Sequence, residues 1–170
     1  MTLEQAKQEF IQAWGGLGSN WGINKTMAQI HALMLVSDEA LSTEDVMDAL
    51  MISRGNANMN LRALVDWNLV RRTVVMGERR EFFVAEKDTW RMATRIAHER
   101  RKRELEPMLK TLDQLVSVEI RSEDKRKAQE FKAFLKDLQG FASKVDYIFG
   151  AMTKADKQWF SKKLLKLFLK

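Results

Sequence analysis

The stretch SRGNANMNLR, residues 53–62, is rich in side chains that hydrogen-bond to the edges of planar rings and to anions. At about 100° per residue, Gly55, Asn56, Met59, Arg62 and Ala63 share one side of a helix, while Ala57, Leu61, Leu64 and Val65 share the other. Asn58 lies on the flank, and Asn60 turns back toward the apolar side, where an amide serves as a structural hydrogen bonder. A helix chosen only for stability would carry Ala, Glu or Lys in these places, because Gly and Asn are weak helix formers. In the major groove of DNA, Asn pairs with adenine and Arg with guanine. At the start of a helix, the free amide groups and the dipole favour an anion, and a glycine such as Gly55 lets the backbone approach it closely. A second basic group, Arg79 and Arg80, follows at a glycine turn, with Arg71 and Arg72 at the base of the same segment. The chemistry on offer is recognition of a polyanion. Its candidate contacts are Ser53, Arg54, Gly55, Asn56, Asn58, Met59, Arg62, Arg79 and Arg80.

Catalysis has little to stand on. The two histidines, His31 and His98, lie far apart without a neighbouring ligand set, and the chain holds no Gly-rich phosphate loop, serine elbow or paired-carboxylate motif. His31, among Ile30, Leu33 and Met34, reads as a core histidine. The absence of cysteine excludes disulfides, thiolate metal sites and cysteine nucleophiles, and is compatible with a reducing cytoplasm. No enzyme activity, cofactor or metal is expected.

Charge supports the polyanion reading through its distribution. The net charge of +6 is made of an acidic first third and two basic thirds. Residues 1–50 hold two basic and seven acidic side chains, residues 51–110 fourteen and eight, and residues 111–170 thirteen and eight. A basic surface therefore begins at the Asn-rich helix, as a polyanion-binding region requires. The start MTLEQAKQEFIQAWGGLG lacks a basic segment followed by an apolar run, and no stretch approaches ~18 uninterrupted apolar residues. A soluble, unexported, cytoplasmic protein without a membrane partner is expected.

The elements that position these residues are mostly helical. Residues 2–14 form an amphipathic helix that Gly15, Gly16, Gly18 and Gly22 are expected to break, and Asn24 caps a second helix through about Val36. Ser42 or Thr43 starts a third helix ending near Ile52, with Glu44 and Asp45 in its first turn and Val46, Ala49 and Leu50 facing inward. Ser53 caps the next helix almost at once, which is the layout of a helix-turn-helix. The segment LVRRTVVMGERREFFVAE then reads as two strands around Gly77, a β-hairpin with arginines at its tip and base. Helices followed directly by a basic hairpin predict a winged helix that binds double-stranded DNA; the alternative is a winged-helix architectural or protein-interaction module that binds nucleic acid without choosing sequence.

Long helices follow. One runs from Asp88 to Glu106, where Pro107 must kink or restart it, and a second segment reaches about Ile120. From Ser122 onward, Phe131, Leu135, Leu138, Ala142, Val145 and Phe149 form an apolar stripe that Phe134, Phe141 and Ile148 widen. Such a seam is too long for one winged-helix core and predicts a homodimer. The closing segment DKQWFSKKLLKLFLK places Phe160, Leu164, Leu167 and Phe168 on one face and lysines on the others, and reads as an amphipathic dimerisation helix rather than a membrane-surface one. The predicted fold class is mainly α with a small β-hairpin wing. Residues 1–87 are the winged helix-turn-helix DNA-binding domain with its N-terminal helix, and residues 88–170 the helical dimerisation region.

From Trp14 to about Leu105 the chain resembles the winged helix of the MarR superfamily, most closely its GbsR-like branch. The resemblance rests on Asn24-Lys25 opening the second helix, on Ser53-Arg54-Gly55-Asn56 followed by Leu61 and Leu64, and on Gly77-Glu78-Arg79-Arg80 at the wing. It implies a homodimeric transcriptional regulator, usually a repressor, dimerised through N- and C-terminal helices and sometimes modulated by a small ligand; some relatives control betaine or choline metabolism. Aromatic rings can cage quaternary ammonium ions. Trp14, Trp21 and Trp90 are thus candidate contacts for a small-molecule effector, although large aromatics at helix ends more often anchor a core or an interface.

Overall fold

The computed structural model describes residues 1–120 and 124–154, so the expected C-terminal amphipathic helix, with Trp159, lies outside the described residues. Two compact units succeed one another, Met1–Met92 and a second beginning at Ala93.

The first unit opens with α1 (Leu3–Asn20), started by a capping box. The Thr2 hydroxyl accepts from the Gln5 amide at 3.2 Å, and the Thr2 amide donates to the Gln5 side chain at 2.8 Å. The expected break at Gly15 and Gly16 does not occur. Instead α1 runs on to Asn20, because Gly15 and Gly18 sit where α1 meets α2 (Lys25–Val36). A Cβ on Gly18 would lie 2.6 Å from the Cβ of Ala28, and one on Gly15 would lie 2.5 Å from Gln29 Cγ. Close packing outweighs the roughly 1 kcal/mol that a glycine costs within a helix. The chain turns only at Gly22, whose φ of +73° suits a residue without a Cβ.

Asn24 caps α2 as expected, its side chain accepting from the Met27 amide at 3.1 Å. α2 is apolar nearly all round and forms the centre of the unit, burying Met27, Ile30, His31 and Met34 against α1 and its later neighbours. A short strand, β1 (Leu41–Ser42), leads into α3 (Thr43–Leu50). Val46 is fully buried, but Ala49, expected to face inward, is exposed. Met51 ends α3 in a left-handed conformation (φ +54°), and α4 (Arg54–Asp66) begins at the Ser53 cap. β2 (Val70–Thr73) and β3 (Phe82–Ala85) pair antiparallel, with Val70 opposite Ala85 and Thr73 opposite Phe82. The hairpin is not alone: β1 pairs with the other edge of β3, Leu41 opposite Phe83, giving the order β1-β3-β2.

α5 (Thr89–Arg100) starts at the end of the first unit and continues into the second. A π-helical segment, Arg101–Leu105, joins it to α6 (Glu106–Ser117), so Pro107 stands in the first turn of α6. A proline is tolerated there because its missing amide is one that a helix start leaves unpaired. α7 (Lys125–Lys154) packs on α6 around buried Leu112, Leu135 and Ala142, with Leu105, Leu109, Val116, Ile120 and Leu138 around them. Arg101 braces this pair through a two-pronged bond to Asp146, Nε to Oδ1 at 2.7 Å and Nη2 to Oδ2 at 3.1 Å. The stripe expected on α7 divides in two. Leu135 and Ala142 belong to the unit's own core, whereas Phe131, Phe134, Phe141 and Ile148 are exposed.

Candidate nucleic-acid interface

The candidate surface is built on α4, and the packing of α4 decides which residues face outward. Ala57, Leu61 and Leu64 are buried against the rest of the unit. On the opposite side Ser53, Arg54, Gly55, Met59 and Arg62 are exposed and Asn56 is half-exposed. The start of the helix is secured by the Ser53 hydroxyl, which accepts from the Asn56 amide at 3.3 Å. A Cβ on Gly55 would meet nothing within 4 Å. The packing of the fold therefore makes no demand for glycine there.

The asparagines divide by partner. Asn60 is buried, and its Nδ2 donates to the Asn56 carbonyl at 2.9 Å and to Asn56 Oδ1 at 2.7 Å. Asn60 is thus a structural residue that orients the side chain of Asn56. Asn58 Oδ1 accepts from the Thr43 hydroxyl at 3.3 Å and ties α4 to α3. Arg54 reaches sideways to Glu44, Nη2 to Oε1 at 2.8 Å. The Glu44 carboxyl is held below the usual range, first by a hydrogen bond from its own backbone and then by Arg54. Glu44 was readable in the sequence only as a helix-start acid favoured by the dipole.

The wing carries the second basic group. Its apex is the turn Val75–Glu78, closed by the Glu78 amide donating to the Val75 carbonyl at 3.1 Å, with Gly77 at φ +85°. Arg79 and Arg80 lie just past this apex and are exposed, as are Arg71 and Arg72 on β2. Arg80 bonds Glu78 at 3.2 Å and lies over the ring of Phe82, 5.3 Å from its centroid. Arg72 pairs with Glu81 at 3.6 Å. The arginines are in part held by surface carboxylates, whose exposed pairs are weak enough to exchange for phosphate. Sequence reasoning passed over Val74 and Met76, which the wing exposes at 89% and 99%. Their spacing of two residues in a hairpin arm was the available signal.

The three tryptophans put forward as effector contacts take different environments. Trp14 is half-buried, its ring 5.5 Å from Phe10 and 6.2 Å from His31; Trp21 caps the end of α1 and is half-exposed, and Trp90 stands in the first turn of α5. His31 is buried with no hydrogen-bond partner at Nε2, and burial lowers its pKa to about 4. Among the described residues no group of three or more His, Asp or Glu is placed to hold a metal, and no helix is long and apolar enough to cross a membrane.

No protein-family model matches the chain. It is 26% identical over 105 residues to the HTH-type transcriptional repressor GbsR of Bacillus subtilis, covering 62% of this chain and 58% of that protein. To the HTH-type transcriptional regulator MmpR5 of Mycobacterium tuberculosis it is 30% identical over 84 residues, covering 49% of this chain and 51% of the other. The chain thus spans between half and three fifths of the length of these curated relatives. A crystal structure described as a transcriptional regulator shares the fold, with a TM-score of 0.51 and 21% identity over 85% of this chain and 98% of that one. With a capped helix-turn-helix and a basic hairpin directly behind it, the chain has a winged-helix fold and is similar in sequence to HTH-type transcriptional regulators.

Proposed function

We propose that the protein is a sequence-specific DNA-binding transcriptional regulator of the repressor kind that reads a pseudo-palindromic operator as a homodimer. The observation that carries this reading is the outward face of α4. Its residues are chosen against helix stability, Gly55 has no packing reason to be glycine, and Asn56 is oriented from below by Asn60. Asn56 and Arg62 serve as base readers in the major groove. Ser53, Arg54 and Gly55 hold a phosphate at the helix start, and Arg79 and Arg80 on the wing clamp the backbone. The names of the two curated relatives, a repressor and a regulator, agree with this assignment.

Dimerisation is supported by α7. Phe131, Phe134, Leu138, Phe141, Val145 and Ile148 alternate spacings of three and four, as in a coiled-coil seam, and four of the six are exposed. Two symmetric α4 helices then read half-sites about 10 base pairs apart, or a multiple of that. A small effector, with Trp14, Trp21 and Trp90 as its candidate contacts, belongs to the same reading; titration with betaine or choline while following tryptophan fluorescence and operator affinity tests it, and no response in either removes it.

The deciding experiment is selection of bound duplexes from a random DNA pool. Enrichment of a motif with two-fold symmetry is expected. A flat pool bound with normal affinity would instead identify an architectural protein that uses the same basic surface without choosing sequence.

A further inference from the structure

The apex of the wing is apolar where turn chemistry asks for something else. Exposed turns favour Gly, Pro, Asn, Asp and Ser, each for a conformational reason. Here the second residue of the Val75–Glu78 turn is Met76, which is 99% exposed, and Val74 two residues earlier is 89% exposed. Val74 and Met76 are both exposed, whereas Val75 between them is half-buried. The fold covers neither side chain, and Gly77 at φ +85° follows Met76 in the turn that closes the hairpin. Behind the apex stand Arg79 and Arg80 on one arm and Arg71 and Arg72 on the other. An apolar point backed by four cations does not fit a protein groove or a lipid interior as well as it fits the floor of a DNA groove, where phosphates line both walls.

We propose that Met76, supported by Val74, is a wedge that enters the minor groove between two base pairs and kinks the operator. This rests on the DNA-binding reading above and adds to it a deformation step. Apolar side chains, Met among them, partly unstack a base step and bend the duplex by about 20–90°. Unbranched Met suits the task, since it adapts its shape to an irregular gap. The energy of unstacking depends on the step, and pyrimidine–purine steps such as TA and CA/TG yield most easily. The wing therefore contributes to sequence choice without a hydrogen bond to any base, and a flexible step is expected on the outer side of each half-site.

The test uses the full chain and the duplex enriched from the random pool, end-labelled so that energy transfer between the ends reports bending, with anisotropy giving affinity on the same sample. Wild type is expected to shorten the end-to-end distance. Met76→Ser is expected to abolish most of the shortening and to weaken operator binding several-fold, while Met76→Leu restores both. Arg79→Ala is expected to weaken binding with the bend kept. Replacing the outer flexible step by GC is expected to reduce wild-type affinity and to leave Met76→Ser unaffected. If no duplex is bound at all, the DNA-binding reading itself fails. If the duplex is bound but wild type leaves it straight, or Met76→Ser bends it as well as wild type does, the wedge is overturned while DNA binding stands. Met76 is fully exposed, so none of these variants threatens folding.

Discussion

In the proposed function Asn56 and Arg79 make two kinds of contact with DNA, and a salt series is expected to separate them. Asn56 is uncharged and held in place by the buried Asn60 at 2.7 Å. Its replacement by Ala is expected to cost about 1–3 kcal/mol on the operator and to relax choice at one position, leaving the slope of log affinity against log salt unchanged. Arg79→Ala is expected to lower that slope by about 0.9 and to weaken operator and scrambled duplexes alike. The reverse pattern, a flattened salt dependence for Asn56→Ala, would exchange the two roles. The outward and inward sides of α4 were legible in the sequence because the 3.6-residue period alone sorts them, and the structural role read for Asn60 agrees with its burial. What the sequence hid was partnership: nothing in the spacing of Glu44 and Arg54 announces their 2.8 Å contact, which depends on how two helices cross. His31 yields a prediction of another kind. Its pKa falls from 6.5 unfolded to about 4 folded because burial penalises the charged ring. The stability this contributes is complete above pH 6.5 and is lost as the pH drops through the interval down to 4, in total about 3 kcal/mol. Over that interval His31→Leu is expected to flatten the decline in thermal midpoint; a decline equal to that of wild type would show that His31 is not its source.

At the scale of elements, two glycines two residues apart behave oppositely. Gly16 faces open space, so Gly16→Ala is expected to raise stability by about 0.5–1 kcal/mol through helix propensity alone. Gly18 lies against Ala28, and Gly18→Ala must push α1 from α2, with a net loss of about 1–3 kcal/mol despite the same gain in propensity. Thermal unfolding of the two variants checks the contrast. This is also why α1 was misread from the sequence: a glycine that breaks a helix and one that lets helices touch look alike until the neighbour is known. β1 escaped notice because two residues cannot show an alternation. Its Ser42 nevertheless joins two elements, pairing opposite Phe82 in the sheet while its hydroxyl and amide bond Asp45 at 2.7 Å and 2.8 Å to start α3. The Asp45 carboxyl is held below its ordinary range first by that hydroxyl. Ser42→Ala, at a fully buried position, is expected to cost about 1–2 kcal/mol.

For the whole molecule, the mainly α winged-helix fold was legible from capping residues, periodicity and one glycine turn. The apolar stripe of α7 was legible as a stripe, but not as two. The 3.6-residue period places Leu135 and Ala142 beside Phe134 and Phe141, and only the packing of α6 decides which pair is covered. Leu135→Glu would therefore damage the unit itself, and the informative probes of dimerisation are the exposed Phe134 and Phe141. The double change to Glu is expected to yield a folded monomer by light scattering at micromolar concentration; wild type that is already monomeric there would remove the dimer. A calorimetric consequence follows from the two units. Among the described residues the second unit is centred on Leu112, Leu135 and Ala142, far less buried apolar surface than the set around α2. Heating is expected to separate into two endotherms, because cooperativity extends only as far as a shared core. If the exposed phenylalanines are buried by a second copy, only the lower endotherm climbs with protein concentration, since mass action stabilises the part that associates and leaves the other untouched.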